Sequence, residues 1–268
     1  MKIKAIFKNT GIAAIALLGL VAFTTPEHGQ QKQQTANTKA QANNLEGAWR
    51  LTGTAGKNKT AGITTIKLVQ DGFFTVAVYD QQNKEFLGTY GGTYTTQNGQ
   101  LTEQYEFNTF DSTQVGKSAT GKSVLKNSTW QTTGLGRDNN GSEVWERLNE
   151  QSTNSPLKGT WRITGRERNG EMSTMRPGPR KTLKVLSGTR FQWIAFNSET
   201  GEFSGTGGGT YTARDGKYTE NIEFFSRDSS RVGMQLGFNY EVKDGKWHHT
   251  GQSSTGNKVN EIWERIPV

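Results

Sequence analysis

The chain contains no cysteine. That absence removes disulfide staples, thiolate metal sites, cysteine nucleophiles and a lipid-modified cysteine behind a leader segment. A folded, exported form would have to rest on its own apolar core. Histidine is nearly as scarce, with only His28, His248 and His249, so residues 45–148 have none to act as base or ligand. His248 and His249 are adjacent, and in a strand they would point to opposite faces, which argues against joint chelation of a metal. No nucleophile elbow, phosphate loop or zinc-ligand spacing occurs. The one long uncharged apolar run, Gly11 to Phe23, is shorter than the roughly 20 residues a membrane-spanning helix needs.

What is present begins with a leader. Lys2, Lys4 and Lys8 precede that apolar run, and small or hydroxylated residues follow around Ala22 and Thr24. This pattern predicts a secretory signal over residues 1–24. The protein is therefore expected to be exported, periplasmic or secreted, with no membrane span beyond the signal. Residues 25–44, rich in Gln, Thr, Asn and Ala, offer almost nothing to bury and read as a flexible tether. The net charge of +8 is unevenly distributed: residues 45–150 carry 10 basic and 11 acidic groups, whereas residues 157–268 carry 17 basic and 12 acidic groups.

An internal repeat sets the organisation. Leu45-Glu46-Gly47-Ala48-Trp49-Arg50 returns as Leu157-Lys158-Gly159-Thr160-Trp161-Arg162, Gly91-Gly92-Thr93-Tyr94-Thr95 as Gly208-Gly209-Thr210-Tyr211-Thr212, and Glu143-Val144-Trp145-Glu146-Arg147-Leu148 as Glu261-Ile262-Trp263-Glu264-Arg265-Ile266. The offset grows from 112 to 117 between Trp161 and Lys184, which marks a five-residue insertion in the second copy, and reaches 118 near its end. Two domains follow, 45–148 and 157–268, joined by a polar linker over 149–156.

Each copy reads as β. Asp71-Gly72, Asn98-Gly99, Asn140-Gly141, Asp215-Gly216 and Asp244-Gly245 supply the positive φ angles of tight hairpin turns. The runs between them alternate, as in Val232-Gly233-Met234-Gln235-Leu236-Gly237-Phe238-Asn239-Tyr240, the period of a strand with one wet and one dry face. About eight such runs per copy, and no convincing helix, predict an all-β protein of two tandem antiparallel up-and-down barrels, in which closure removes exposed edges.

The ends of each copy carry a family resemblance. Gly47 and Trp49 answered by Arg147, and Gly159 and Trp161 answered by Arg265, resemble the calycin superfamily of lipocalins, fatty-acid-binding proteins and avidins, and most of all bacterial lipocalin-like domains of exported proteins. The resemblance implies that these Trp residues close the barrel bottoms while the Arg residues cover them. Each copy is shorter than a typical lipocalin.

In Thr-Glu-x-x-Glu-Phe, alternation places Glu103 with Tyr105 and Phe107, and Glu220 with Ile222 and Phe224. An inward carboxylate must be paired or hydrogen-bonded, so Glu103 and Glu220 read as paired structural groups, as ligand contacts at a barrel mouth, or as a general acid/base that lacks an evident partner. Gly91-Gly92 and Gly208-Gly209 lie inside β runs and read as strand bends. Trp130, Trp145, Trp247 and Trp263 read as core or wall.

Two asymmetries favour the second copy. Its insertion is basic, carries Met172, Met175, Arg176 and Arg180, and ends in Pro177-Gly178-Pro179. In the resembled families the connection between the first two strands covers the open end. There, Arg176 and Arg180 would meet an anionic head group, and Met172 and Met175 an apolar tail. Its sixth strand carries Met234, Leu236 and Phe238 where the first copy has Lys117, Ala119 and Gly121, and Trp193 replaces Val76. The expectation is a non-catalytic binder of a small lipophilic or anionic amphipathic ligand, contacted by these residues with Tyr211, Glu220, Ile222 and Phe224. No cofactor or metal is expected. The alternative is a structural or protein-binding module with solid barrels. Nucleic acid is not expected as a partner, because an exported address gives the modest basic charge no such use.

Overall fold

The structure, a computed structural model, describes residues 44–54, 61–137, 141–150 and 154–266. The expected signal segment, the tether apart from Asn44, linker residues 151–153 and the Asn140 half of one turn lie outside these residues.

Asp-Gly and Asn-Gly pairs turn the chain as their chemistry dictates. Asp71 and Gly72 have φ of 50° and 70°, Asn98 and Gly99 50° and 75°, Asp215 and Gly216 50° and 72°, and Asp244 and Gly245 51° and 74°. Two consecutive positive φ angles match the right-handed twist of the flanking strands. The strands they connect in the first copy are β1 (Gly47–Thr54), β2 (Ile63–Gln70), β3 (Phe73–Asp80), β4 (Glu85–Gln97), β5 (Gln100–Asn108), β6 (Ser118–Lys126), β7 (Thr129–Leu135) and β8 (Gly141–Arg147). Each pairs antiparallel with the next, and β8 returns to β1 to close the barrel.

The second copy repeats this with β9 (Gly159–Arg168), β11 (Arg180–Leu186), β12 (Arg190–Asn197), β13 (Phe203–Arg214), β14 (Lys217–Phe225), β15 (Gln235–Lys243), β16 (Lys246–Gln252) and β17 (Lys258–Arg265), closed by the β9–β17 pairing. The insertion adds β10 (Glu171–Thr174), which folds back on β9 as a hairpin. The run from Val232 enters its strand only at Gln235, because Asp228 first caps a short 3-10 turn over Ser229–Arg231, its side chain accepting from the Ser230 N–H.

One end of each barrel is closed. Trp49 and Trp161 are fully buried, and each indole N–H donates to a carbonyl four residues back, Leu45 and Leu157, at 2.8 Å. The Arg147 guanidinium lies 4.1 Å from the Trp49 ring centroid and that of Arg265 4.3 Å from Trp161. The guanidinium gains cation–π attraction while covering apolar surface.

Both faces of β2 and β11 are buried, since the two barrels pack wall to wall. Tyr79 stacks on Phe224 at 4.8 Å and Phe107 packs on Phe196 at 4.9 Å. Tyr79 and Phe196 are equivalent positions, as are Phe107 and Phe224, so the same contact is made in both directions about a local two-fold axis. Gln192 accepts from Thr75 Oγ1 at 2.6 Å and donates to Thr89 Oγ1 at 2.9 Å. The residual cavity beside this contact is about 10 Å³, at the lower limit for a single water.

Candidate functional site

Inside each barrel a lysine and a glutamate meet. Lys67 pairs with Glu103, both side chains 1% exposed, and Lys184 pairs with Glu220 at 2.7 Å. Alternation explains the placement: Ile66 and Leu68 face the other barrel, which turns Lys67 inward between them. Aromatic rings surround the cations. Lys67 Nζ lies 4.7 Å from the Trp130 centroid and 5.0 Å from that of Phe74, and Lys184 Nζ lies 5.0 Å from Tyr218 and 5.1 Å from Trp247. A buried charge is tolerated only when paired in this way. The glutamates were legible in the sequence. Their lysine partners were not singled out, although a lysine at equivalent positions within an apolar run of both copies was the available signal.

Deeper chemistry differs between the barrels. In the first, Glu143 accepts from the Trp145 indole at 3.1 Å and from Thr132 at 3.5 Å. Burial pushes its carboxyl up to about 7, Glu103 adding to the effect and Lys67 opposing it. In the second, the equivalent Glu261 accepts from Trp263 at 3.1 Å, from Arg166 Nε and Nη2 at 3.0 and 2.7 Å, and faces His249 Nδ1 at 3.3 Å. Burial pushes the Glu261 carboxyl up, but His249, Arg166 and Lys184 outweigh it and bring it to about 2. Burial, with Lys184 nearby, lowers the His249 imidazole below its ordinary value.

The open ends differ more. In the first barrel Tyr90 and Leu135 are 2% and 1% exposed, Phe110 packs edge-on to Tyr90 at 6.4 Å, and the Arg137 guanidinium lies 5.0 Å over Phe110. These side chains stopper the barrel. At the equivalent positions the second barrel has Gly207, Gln252, Arg227 and Ser254. Trp193 leans over Gly207, edge-on to Phe225 at 5.5 Å, with Arg227 5.9 Å from its ring. Trp193, Phe225, Met234, Leu236 and Val259 are all half-buried, which leaves an apolar rim in contact with solvent.

The expected ligand contacts separate into groups. Trp193, Ile222, Met234, Leu236 and Phe238 belong to the interior of the second barrel. Glu220 is inward but already paired. Tyr211 is inward, and its hydroxyl donates to the Ser187 carbonyl at 2.7 Å near the closed end. Met172, Met175, Arg176 and Arg180 are exposed on the insertion, and the Met172 sulfur packs toward Gly165 and Ile262 on the outer wall. Phe224 is a correction. It stands not inside the barrel but between the barrels, because Glu223 is an extra residue in the β13–β14 register, where Gly208 faces Phe224 and Gly209 faces Ile222. A bulge reverses the alternation beyond it. Glu106 does the same in the first copy, taking Phe107 away from the face of Tyr105. The paired glycines are required here: a Cβ on Gly92 or Gly209 would run into the Gln104 or Asn221 carbonyl.

Other sites are weaker. Among the described residues no group of three His, Asp or Glu side chains is placed to hold a metal ion, and no helix is long and apolar enough to cross a membrane. A surface concavity of about 390 Å³ near Arg147, Glu150 and Lys158 is lined by charges already engaged. Glu150 accepts from Thr189 N–H at 2.8 Å and from Ser187, and Lys158 lies 3.8 Å from Glu46.

A family described as a domain of unknown function, DUF4488, matches residues 156–268, the second barrel and the end of the linker. No curated protein matches the chain. Among solved structures, the uncharacterized protein YLR301w from Saccharomyces cerevisiae is similar over 82% of this chain and 97% of that one, with 13% identity and a TM-score of 0.45.

Proposed function

We propose that the chain is an exported, non-catalytic binding protein of the lipocalin type, and that its second barrel takes a small apolar or amphipathic ligand through its open end. One observation carries the reading. Two copies of one fold differ at the same end, where the first is stoppered by Tyr90, Phe110 and Arg137 while the second keeps a half-buried rim of Trp193, Phe225, Met234 and Leu236. Large apolar side chains left in contact with water at a barrel end cost free energy that a ligand would recover. The calycin-like closure by Trp161 and Arg265 at the other end supports the same reading.

The first barrel is then a scaffold, packed solid and sharing a core with its neighbour. Eight strands are enough for side chains to fill a barrel without a ligand.

Native mass spectrometry of the full chain after incubation with a lipid extract tests the proposal. A bound species is expected, and it should disappear in the double variant Trp193→Val, Gly207→Tyr, which gives the second barrel the residues of the first. Absence of any adduct, or an adduct indifferent to that exchange, would refute it.

A further inference from the structure

Three of the four buried side-chain atoms that lack a hydrogen-bond partner among the described residues are Tyr218 Oη, Trp247 Nε1 and His249 Nε2. They form one cluster in the second barrel, with ring centroids of Tyr218 and Trp247 5.3 Å apart, Tyr218 and His249 5.7 Å, and Trp247 and His249 5.2 Å. Native interiors leave few such groups unmet, because each has given up its hydrogen bonds to water without replacement. Among the described residues the first barrel has no such cluster. Leu101 stands for Tyr218, Trp130 donates to Ser123 Oγ at 2.9 Å where Trp247 finds Tyr240 instead, and Thr132, at the position of His249, donates to Glu143.

The chemistry of the missing partner can be read from its surroundings. Glu261 can only accept, so His249 Nδ1 carries the proton toward it, and Nε2 is left as an acceptor. Tyr218 and Trp247 are donors. Glu220 is near enough to add to the upward push that burial gives the Tyr218 phenol, but makes no well-formed hydrogen bond with it. The charges here are already balanced: buried Lys184 is answered by Glu220, and Glu261 by the half-exposed Arg166 through two bonds. A further anion would stand uncompensated.

Building on the second barrel as the binding site, we propose that this cluster receives the hydroxyl head of an uncharged amphipathic ligand. The hydroxyl donates to His249 Nε2 and accepts from Tyr218 or Trp247, and the apolar tail runs toward Trp193 and Leu236. Phe238 covers the cluster from β15, its ring 4.4 Å from that of His249, and must swing aside to admit the head.

The full chain, titrated at pH 8 with 1-octanol, octyl methyl ether and octanoate, tests this. All seven tryptophans lie in the barrels, so indole fluorescence reports binding there, and nitrogen-15 NMR follows His249 Nε2 in the unaltered protein. 1-Octanol should bind about tenfold more tightly than the ether, which cannot donate, should surpass octanoate, and should shift the Nε2 resonance. His249→Phe should erase the margin of alcohol over ether. Octanoate binding as tightly as the alcohol, or ether and alcohol binding alike with Nε2 unmoved, would overturn the head-group inference and leave the binding site standing. Failure of all three probes to bind would overturn both.

Discussion

Phe86 and Phe203 stack on each other, 6.3 Å between centroids and 10° from parallel, and they are the same position in the two copies. A residue that meets its own counterpart marks a local two-fold axis, and the Tyr79–Phe224 and Phe107–Phe196 contacts sit on either side of it. The two barrels therefore share a core. Urea unfolding followed by tryptophan fluorescence should show one transition. Phe224→Ala should lower stability by about 3–5 kcal/mol, as truncation of buried aromatics does. Two separated transitions in the unaltered protein would contradict a shared core.

The buried pair Lys67–Glu103 should show strong non-additivity. Lys67→Met alone strands a carboxylate among aromatic rings and should cost about 3–5 kcal/mol, whereas adding Glu103→Leu should restore most of it. Equal losses in the single and double variants would mean that the pair is not coupled as its geometry requires. The cycle is read from denaturation midpoints.

Glu143 should make stability fall as pH rises. Burial lifts its carboxyl from 4.5 to about 7 in the folded state, so between those values the folded chain holds a proton the unfolded chain has lost. Stability from this group is present below pH 4.5 and declines through pH 7, by about 3 kcal/mol at 1.36 kcal/mol per unit. Glu143→Gln should flatten that part of the pH profile, measured by denaturation at fixed ionic strength.

Arg147 should matter through packing as much as charge. Its guanidinium covers Trp49 at 4.1 Å and donates to the Glu46 carbonyl. Arg147→Ala should cost about 1–2 kcal/mol and make Trp49 more accessible to an aqueous quencher. Arg147→Lys should recover little, because an ammonium cannot lie flat on the ring. Quenching unchanged in Arg147→Ala would remove the role of a cover.

Much of the fold was legible because it is local and repeated. The Asp-Gly turns, the alternating strands and the matched ends of the copies report the fold directly, and Arg147 and Arg265 lie over the Trp49 and Trp161 rings. The site was only half legible. Phe224 was assigned to the wrong face, since alternation carries no trace of a one-residue bulge at Glu223. His249 stood out only as half of a histidine pair with no chelating geometry; its partner Glu261 faces it on the next strand, but Arg166, which holds Glu261, comes from β9.

The sequence by itself determined two all-β copies, their turns and their closed ends, because hairpin chemistry and strand period act between near neighbours. Tertiary structure decided which face of each strand met the other barrel, which charges were buried together and which mouth was stoppered. Those outcomes depend on closure and on packing about a two-fold axis, which bring together residues more than a hundred positions apart, such as Phe86 and Phe203.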